Sequence, residues 1–339
     1  MKTYKLKDIL AIKTGKAPKN KKQGNIPVYS SGGIISFTDD YIVKSTSILL
    51  PRVGTLDSIF YVNSKTWVTD NMYHSKIFNN EIDPKYLYYY LKSIDFSSKH
   101  SKTSQPKMTI NDYYDITLLI PDKSIQTKIR ILLDVIESKI EVNNKINDNL
   151  LKQAKHIYLH YFFNKKPNGF LNDLIKEFEK SKIFVKDAKE KKGKYPFYTS
   201  GDSILEFDRF LVDGRYCFLN TGGNADIKFY AGKASYSSDT WCIYSEHKMT
   251  DYLYLLLHTA KEEINTKYFE GTSLKHLQKE LLKKKAIYIP TEIEISNFNR
   301  KIVPVLSAIS ANSRENWALT NYKNTLLPLL MNGQVTIDD

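Results

Sequence analysis

The chain has little with which to cross-link itself, hold a metal or cross a membrane. Two cysteines in 339 residues, Cys217 and Cys242, make no disulfide framework and suit a reducing cytoplasm. The longest apolar runs, such as 253–257 and 117–121, fall far short of the ~20 residues that a bilayer span needs. Residues 1–8, MKTYKLKD, hold no apolar stretch of the kind a secretory signal uses, so a cytoplasmic location is expected. Acidic residues are outnumbered as well, 37 against 50 Lys and Arg, and the net charge of +13 favours a polyanionic partner. What is abundant is core material: hydrophobic residues make up 42% and aromatics 13%, which excludes general disorder and allows two or three domains.

Catalytic motifs are also missing. Gly15-Lys16 is followed by Ala17 instead of Ser or Thr, so it is no ATP phosphate loop, and Gly32-Gly33 and Gly222-Gly223 lack dinucleotide-loop spacing. The segment Asp83-Pro84-Lys85-Tyr86 only half imitates the turn with which DNA amino-methyltransferases hold a target amine. It reads better as a helix start. Asp122, Glu137 and Lys139 imitate a nuclease centre, but about 15 residues of helix, over ~20 Å, would separate the first from the others. Cys217, Cys242, His247, His258 and His276 have no zinc spacing. No catalytic residue, metal site or bound cofactor is expected in this chain.

The sequence repeats once at a constant offset, which carries position 26 onto position 195. Ile26-Pro-Val-Tyr-Ser-Ser-Gly32 returns as Tyr195-Pro-Phe-Tyr-Thr-Ser-Gly201, and Asp70, Thr103-Ser104 and Ile120-Pro121 return as Asp239, Thr272-Ser273 and Ile289-Pro290. Each copy reads as a mixed α/β globular part, residues 1–123 and 167–291, followed by a long helix, residues 124–166 and 292–339. In the first helix Ile125, Ile129, Leu132, Leu133, Ile136, Ile140, Ile146, Leu150, Ala154, Ile157 and Tyr161 share a stripe; Phe298, Ile302, Val305, Ile309 and Leu319 repeat part of it. Pro304 and Pro328 predict a bend or fraying in the second. Asp83 with Pro84 opens a shorter helix in the first globular part, and Thr291 with Glu294 makes a capping box.

A long helix with an apolar stripe needs a partner, and the nearest is the other helix. The expected fold is therefore two repeated globular domains and two helices, which pair as an antiparallel coiled coil with pseudo-two-fold symmetry. Asn143 and Asn147, repeated as Asn312 and Asn316, fall either in the middle of that seam or in solvent.

This constellation resembles the specificity subunit of type I restriction-modification systems. The residues that carry it are Lys7-Asp-Ile9 with Gly15-Lys16, the two Tyr-Ser/Thr-Ser-Gly turns, Arg52-Val-Gly-Thr55, Thr103-Ser-Gln-Pro-Lys-Met108, Gly271-Thr-Ser-Leu-Lys275 and the two Ile-Pro pairs. The resemblance implies two target recognition domains that read the halves of a split double-stranded DNA site. It implies helices that space the readers and dock two methyltransferase subunits, and restriction subunits in the full complex. Those partners use S-adenosylmethionine, ATP and Mg²⁺. The family's helix opens with a Pro-Pro-Leu-x-Glu-Gln run, of which Pro121 and Gln126 remain in the first copy and Ile295 replaces the Gln in the second, so the resemblance supports a methyltransferase contact at the first helix more than at the second.

Reading DNA needs cations for phosphates and hydroxyl, amide or guanidinium groups for base edges. The first copy offers Lys16, Lys19, Lys21, Lys22, Ser30, Ser31, Arg52, Lys99, Lys102, Ser104, Gln105 and Lys107. The second offers Lys191, Lys192, Lys194, Thr199, Ser200, Arg215, Asn220, Ser273 and Lys275. Ile129, Leu133, Ile136 and Ile140, with Phe298, Ile302, Val305 and Ile309, are expected in the helix seam or against a partner. The competing class of function is a coiled-coil adaptor whose two domains bind proteins.

Overall fold

The computed structural model describes residues 1–17, 24–54, 56–96, 106–191 and 193–337. The chain divides into two compact units, residues 1–139 with 318–339 and residues 140–317.

In the first unit, strand Lys2–Lys5 lies antiparallel to Thr117–Ile120, which ties the start of the globular part to its end. A four-stranded antiparallel sheet orders Leu10–Thr14, Met72–Ile77, Ser47–Pro51 and Phe60–Val62. Ser47–Pro51 is buried along its whole length, as its unbroken Ile-Leu-Leu run requires of an inner strand. A second sheet joins the hairpin of Ile26–Ser30 and Gly33–Thr38 to Trp67–Val68, which runs parallel to the first of them. Helix Pro84–Ser93 begins at the Asp-Pro pair: the Asp83 carboxylate accepts the amides of Lys85 and Tyr86 at 2.9 and 3.0 Å. Its Tyr86, Leu87, Tyr89 and Leu91 fill the core beneath the four-stranded sheet.

The second unit holds a six-stranded sheet in the order Lys176–Glu177, Thr240–Tyr244, Val212–Asn220, Ile227–Tyr236, Tyr195–Tyr198 and Leu205–Phe207. The repeat survives in the register. Ile26 faces Thr38 in the first hairpin, and their counterparts under the offset, Tyr195 and Phe207, face one another in the second. Gly24 and Gly193 stand at matching places, and a Cβ on either would lie 2.2 Å from the backbone of Thr38 or Phe207. Both positions exclude any side chain. The segment 252–264, which its apolar run and flanking charges would let pass in sequence for one helix, belongs to two, Thr250–Thr259 and Lys261–Lys267, broken at Ala260 where the fully buried run gives way to Lys261-Glu262-Glu263.

The long helices are Lys123–Phe162 and Glu292–Met331, 40 residues each and one offset apart at both ends. Each extends ~60 Å at 1.5 Å per residue. The second stays helical through Pro304 and Pro328, without the fraying expected there. Neighbours explain it: Ile302 and Leu306 are buried in the second unit's core, and Leu327, Leu330 and Met331 in the first's, so packing outweighs a proline penalty of ~3 kcal/mol.

The apolar stripe is covered differently from the simple two-helix expectation. Ile129 and Leu133 belong to the first unit's core with Leu6, Ile9 and Leu87, while Phe298 and Ile302 belong to the second's with Tyr252 and Leu253. These four close globular cores and are not free partner surface. Ile136 is buried, and Ile140, Val305 and Ile309 are half-buried. Ile125 and Ile146 leave the stripe for solvent, each 43% exposed. Within the second unit the asparagines face the opposite helix: Asn143 Nδ2 donates to Asn316 Oδ1 at 2.9 Å, Asn316 Nδ2 to Asn144 Oδ1 at 2.8 Å and Asn312 Nδ2 to Asn147 Oδ1 at 2.9 Å. Rising numbers on one helix meet falling numbers on the other, so these segments run antiparallel. In the first unit Lys323 Nζ meets Glu137 Oε1 at 3.1 Å.

Gln126 is a clasp. Its Oε1 accepts the Asp83 amide at 2.8 Å, and its Nε2 donates to the carbonyls of Glu81 and Pro121 at 3.0 and 2.9 Å. It is 2% exposed, and its whole amide is spent on contacts inside this unit. The second unit substitutes a buried Ile295 and fastens its helix through Glu294, which accepts from Thr291, Tyr288 and Lys165. Those bonds hold the Glu294 carboxyl down at about 2.

Candidate nucleic-acid interface

Each unit brings three chain segments together, and the second set is the first carried forward by the repeat offset. In the first unit the hairpin turn at Ser30–Gly33 stands beside the bend 52–54, where a Cβ on Gly54 would lie 3.4 Å from Ser31 Oγ. The bend pairs with the end of a loop: Gly54 N donates to Pro106 O at 3.1 Å, Met108 N to Arg52 O at 3.0 Å, and Val53 bridges Lys107. In the second unit Gly223 N donates to Lys275 O at 2.9 Å, Leu277 N to Thr221 O at 3.0 Å, and Gly222 bridges His276. Every one of these bonds is its counterpart's, shifted by one offset. Gly54 and Gly223 have φ of +88° and +80°, a conformation that glycine adopts without the strain of a Cβ. Even the anchor recurs: Arg52 Nη1 donates to Asp70 O at 3.2 Å, and Thr221 Oγ1 to Asp239 O at 2.6 Å.

The backbone is shared and the side chains are not. Arg52, Val53 and Lys107 in one unit stand where Thr221, Gly222 and His276 stand in the other. Arg52 and Lys107 are exposed, as are Ser273, Lys275 and His276, whereas Ser30, Ser31 and Ser200 are half-buried at their turns. Ser200 Oγ donates to Asp239 O and accepts the Thr221 amide at 3.1 Å, which ties the second turn to its bend. Lys16 is exposed beside this arrangement, its amide donating to Val68 O at 2.8 Å while Val68 pairs with Tyr29. Thr221 and His276 were missed as candidates, although applying the offset to Arg52 and Lys107 points to both.

Other candidates are placed elsewhere. Lys191 and Lys194 are exposed before strand Tyr195–Tyr198, whose far end carries the turn. Five residues of extended chain put Lys194 ~16 Å from Thr199. Lys19, Lys21, Lys22, Lys99, Lys102, Ser104, Gln105 and Lys192 lie outside the described residues.

Three candidates are spent inside the fold. Arg215 Nε and Nη2 donate to the two Asp251 oxygens at 2.5 and 2.6 Å, and Nη1 to Ser307 Oγ at 2.9 Å. Asp251 is 2% exposed; burial raises its pKa above the usual carboxylate value while Arg215 opposes the rise. Arg215 is thus a structural ion pair instead of a phosphate contact. Asn220 and Thr199 are 5% and 4% exposed, with Asn220 Oδ1 accepting from Lys228 and Thr199 Oγ1 donating to Ser203 O. Buried polar groups must find partners internally, and these have. Replacing Arg215 with Met should destabilise the chain by about 3–5 kcal/mol, because a buried carboxylate loses its counter-ion. The double change Arg215→Met, Asp251→Leu should recover most of the loss. Urea unfolding checks both, and a single variant as stable as its parent would refute the assignment.

Among the described residues, no three His, Cys, Asp or Glu side chains converge as a metal site. Cys217 and Cys242 are both buried, and burial pushes both thiols up. No helix among the described residues is long and apolar enough to cross a membrane.

The chain matches the type I restriction modification DNA specificity domain twice, over residues 1–152 and 167–321. It belongs to this family. A Mycoplasma pneumoniae protein described as a type I specificity subunit is 25% identical over 94% of the chain and 92% of its own length. The specificity subunit of the type I restriction enzyme MjaIX from Methanocaldococcus jannaschii is 22% identical over 99% of the chain and 93% of its own. The crystal structure of the type I restriction-modification S subunit from M. genitalium shares the fold, with a TM-score of 0.64 at 14% identity over 97% of this chain and 96% of that one. The two matched regions each contain one copy of the three-segment arrangement. The chain is accordingly a type I specificity subunit with two target recognition domains, and DNA sequence specificity in restriction-modification is its family's role.

Proposed function

We propose that this specificity chain reads a bipartite, asymmetric DNA site, with residues 1–123 as one reader and 167–291 as the other, and directs modification and restriction subunits to it. The observation that carries this reading is the duplicated arrangement of turn, bend and loop end, one backbone presenting two sets of side chains. Arg52 and Lys107 suit guanine acceptors and phosphate; His276, with only the acceptor side of Thr221 Oγ1 since its proton is spent on Asp239 O, suits a different edge. Both readers follow the same logic on different bases, so the two half-sites differ.

The helices are the spacer. Residues 124–166 and 292–339 pair as an antiparallel coiled coil with pseudo-two-fold symmetry, a reading supported by the asparagine bonds of the second unit. Partner docking falls to the apolar side chains that no core covers. Ile131, Val135, Val142 and Ile146 on the first helix, 50%, 62%, 50% and 43% exposed, follow one another at steps of four, seven and four. That spacing keeps them within one ~60° stripe. Two methyltransferase subunits meet the chain along such surfaces, and restriction subunits join the full complex. S-adenosylmethionine, ATP and Mg²⁺ belong to those partners, and the chain itself is non-catalytic and cytoplasmic, a reading supported by its inert buried thiols and its missing cofactor motifs.

Salt tests the reading against a protein-binding adaptor. If the assembled complex makes at least four phosphate contacts, its affinity for target DNA should fall roughly 10²-fold between 50 and 200 mM salt. Fluorescence anisotropy with a labelled duplex measures it. Affinity that stays flat over this range would sink the DNA-reading proposal.

A further inference from the structure

The second reading turn rests on an ammonium at a place where the first unit has an apolar residue. Lys228 stands one offset after Ile59, an apolar residue 2% exposed in the first core. Its own side chain is 12% exposed. Nζ lies 2.9 Å from Thr199 O and 2.6 Å from Gly201 O, the carbonyls on either side of Ser200. It also reaches Asn220 Oδ1 at 3.1 Å and Asp226 Oδ2 at 3.4 Å. Asp226 is braced in turn by Lys261 Nζ at 2.7 Å. Above this group opens a cavity of about 800 Å³, lined by Ser200, Gly201, Asp202, Asn224 and Asn265 among others.

Removing an ammonium from water is costly, and the cost is recovered only where every proton finds an acceptor. Ile59 shows that the fold accepts an apolar residue at this position, so the core does not require the charge. What the charge does accomplish is local. Two carbonyls of one tight turn are drawn to a single point, and the three residues between strand and cavity lose their freedom.

We propose that Lys228 is the positioning residue of the second recognition turn, fixing Ser200 and Gly201 and thereby setting how strictly the second half-site is read. This rests on the proposed DNA reading of the three-segment arrangement. At the equivalent place the first unit has Ile59, and among the described residues its turn is held by the hairpin itself, by the Thr69 amide on Tyr29 O and by the bend at Gly54.

The test uses the complete complex in a host whose genomic methylation is sequenced, with Lys228→Met, Lys228→Gln and, separately, Ser200→Trp. Lys228→Met should lower discrimination against wrong bases ~10-fold at one or more positions of the half-site read by residues 167–291, the size of one base-edge contact. The other half-site should be unchanged. Lys228→Gln keeps a donor and should fall between Met and wild type. A change that only weakened the fold would reduce methylation at every site without altering the motif, and that pattern overturns the proposal. So does a wild-type motif in both lysine variants while Ser200→Trp abolishes methylation. If Lys228→Gln cannot be assembled at all, Lys228 is a fold determinant and not a positioning residue. A wild-type motif in all three variants would mean that the turn is not part of the reader, and the functional reading of this site fails with it.

Discussion

Replacing residues 170–308 with a second copy of residues 1–139 should turn the recognised DNA site into a palindrome of the first half-site. The two segments are equal in length and one repeat offset apart, so the graft keeps chain length and register. It also carries Gln126, Ile129 and Leu133, the helix residues that clasp and close the first reader's core. Grafting 1–123 alone would set a Glu81 carbonyl against Ile295, which has no amide to offer. Two mismatches remain: the retained Ser310, Arg314 and Trp317 would meet copies of Tyr61 and Val62 in place of Tyr230 and Ala231, and at the far end of the first helix Tyr158 and Phe162 would stand in place of Leu327 and Met331. Overpacking of this kind costs about 1–3 kcal/mol. Folding should survive it. If turn, bend and loop end are the reader, two identical sets must read identical half-sites, inverted under the two-fold relation proposed above. Methylation sequencing would show a symmetric motif in place of the asymmetric one, and complete loss of methylation at the original site. An unchanged motif would show that the globular parts do not read DNA.

The duplication, the two long helices and the turns were legible because each is written locally. A helix declares itself by period, Asp83-Pro84 and Thr291 with Glu294 by their caps, and the repeat by a single offset. The pairing of 52–54 with 106–108 is not written locally. It joins segments far apart in the chain through backbone bonds that any side chain could make, and only Gly54 and Gly223, with their positive φ, mark it in the sequence. Arg215 was misread because a cation's partner is invisible in one dimension: Asp251 lies 36 residues away. The stripe on the long helices was legible as apolar, but which body covers it was not. Ile129 and Ile146 look alike in the pattern, yet one is in a core and the other is 43% exposed, since only the tertiary fold decides which turn of a helix meets a globular part. Local pattern thus identified the elements and the turns, while long-range pairing decided which polar groups are left to meet a ligand.

Lengthening both helices by four residues, after Lys145 and after Arg314, should leave the half-site sequences unchanged and lengthen the spacer between them by one or two base pairs. The insertion has to be made in both helices. Asn143 and Asn144 meet Asn316, and Asn147 meets Asn312, so four residues added to the first helix alone would pull one set of bonds out of register while the other stayed. Matched insertions keep Asn143 opposite Asn316 on one side and Asn147 opposite Asn312 on the other. Arg314 remains beside Ala231, whose carbonyl it meets at 2.9 Å. Four residues add ~6 Å and turn the helix by about one revolution plus 40°, so the apolar stripe is nearly preserved. Along the duplex, ~6 Å is close to two base pairs at ~3.4 Å each. Two base pairs turn the duplex by ~70° at ~10.5 per turn, and the ~30° difference from the helix rotation favours a spacer nearer one added pair where the readers cannot flex. At the original spacing the variant can engage only one half-site, and the complex should lose roughly 10²–10³-fold in affinity, about half of a specific site's advantage over random DNA in logarithmic terms. A library of duplexes with spacers from the native length to three pairs longer, scored for methylation, reads the optimum directly. A variant that still works best on the original spacer would mean that the partner subunits, and not these two helices, measure the gap.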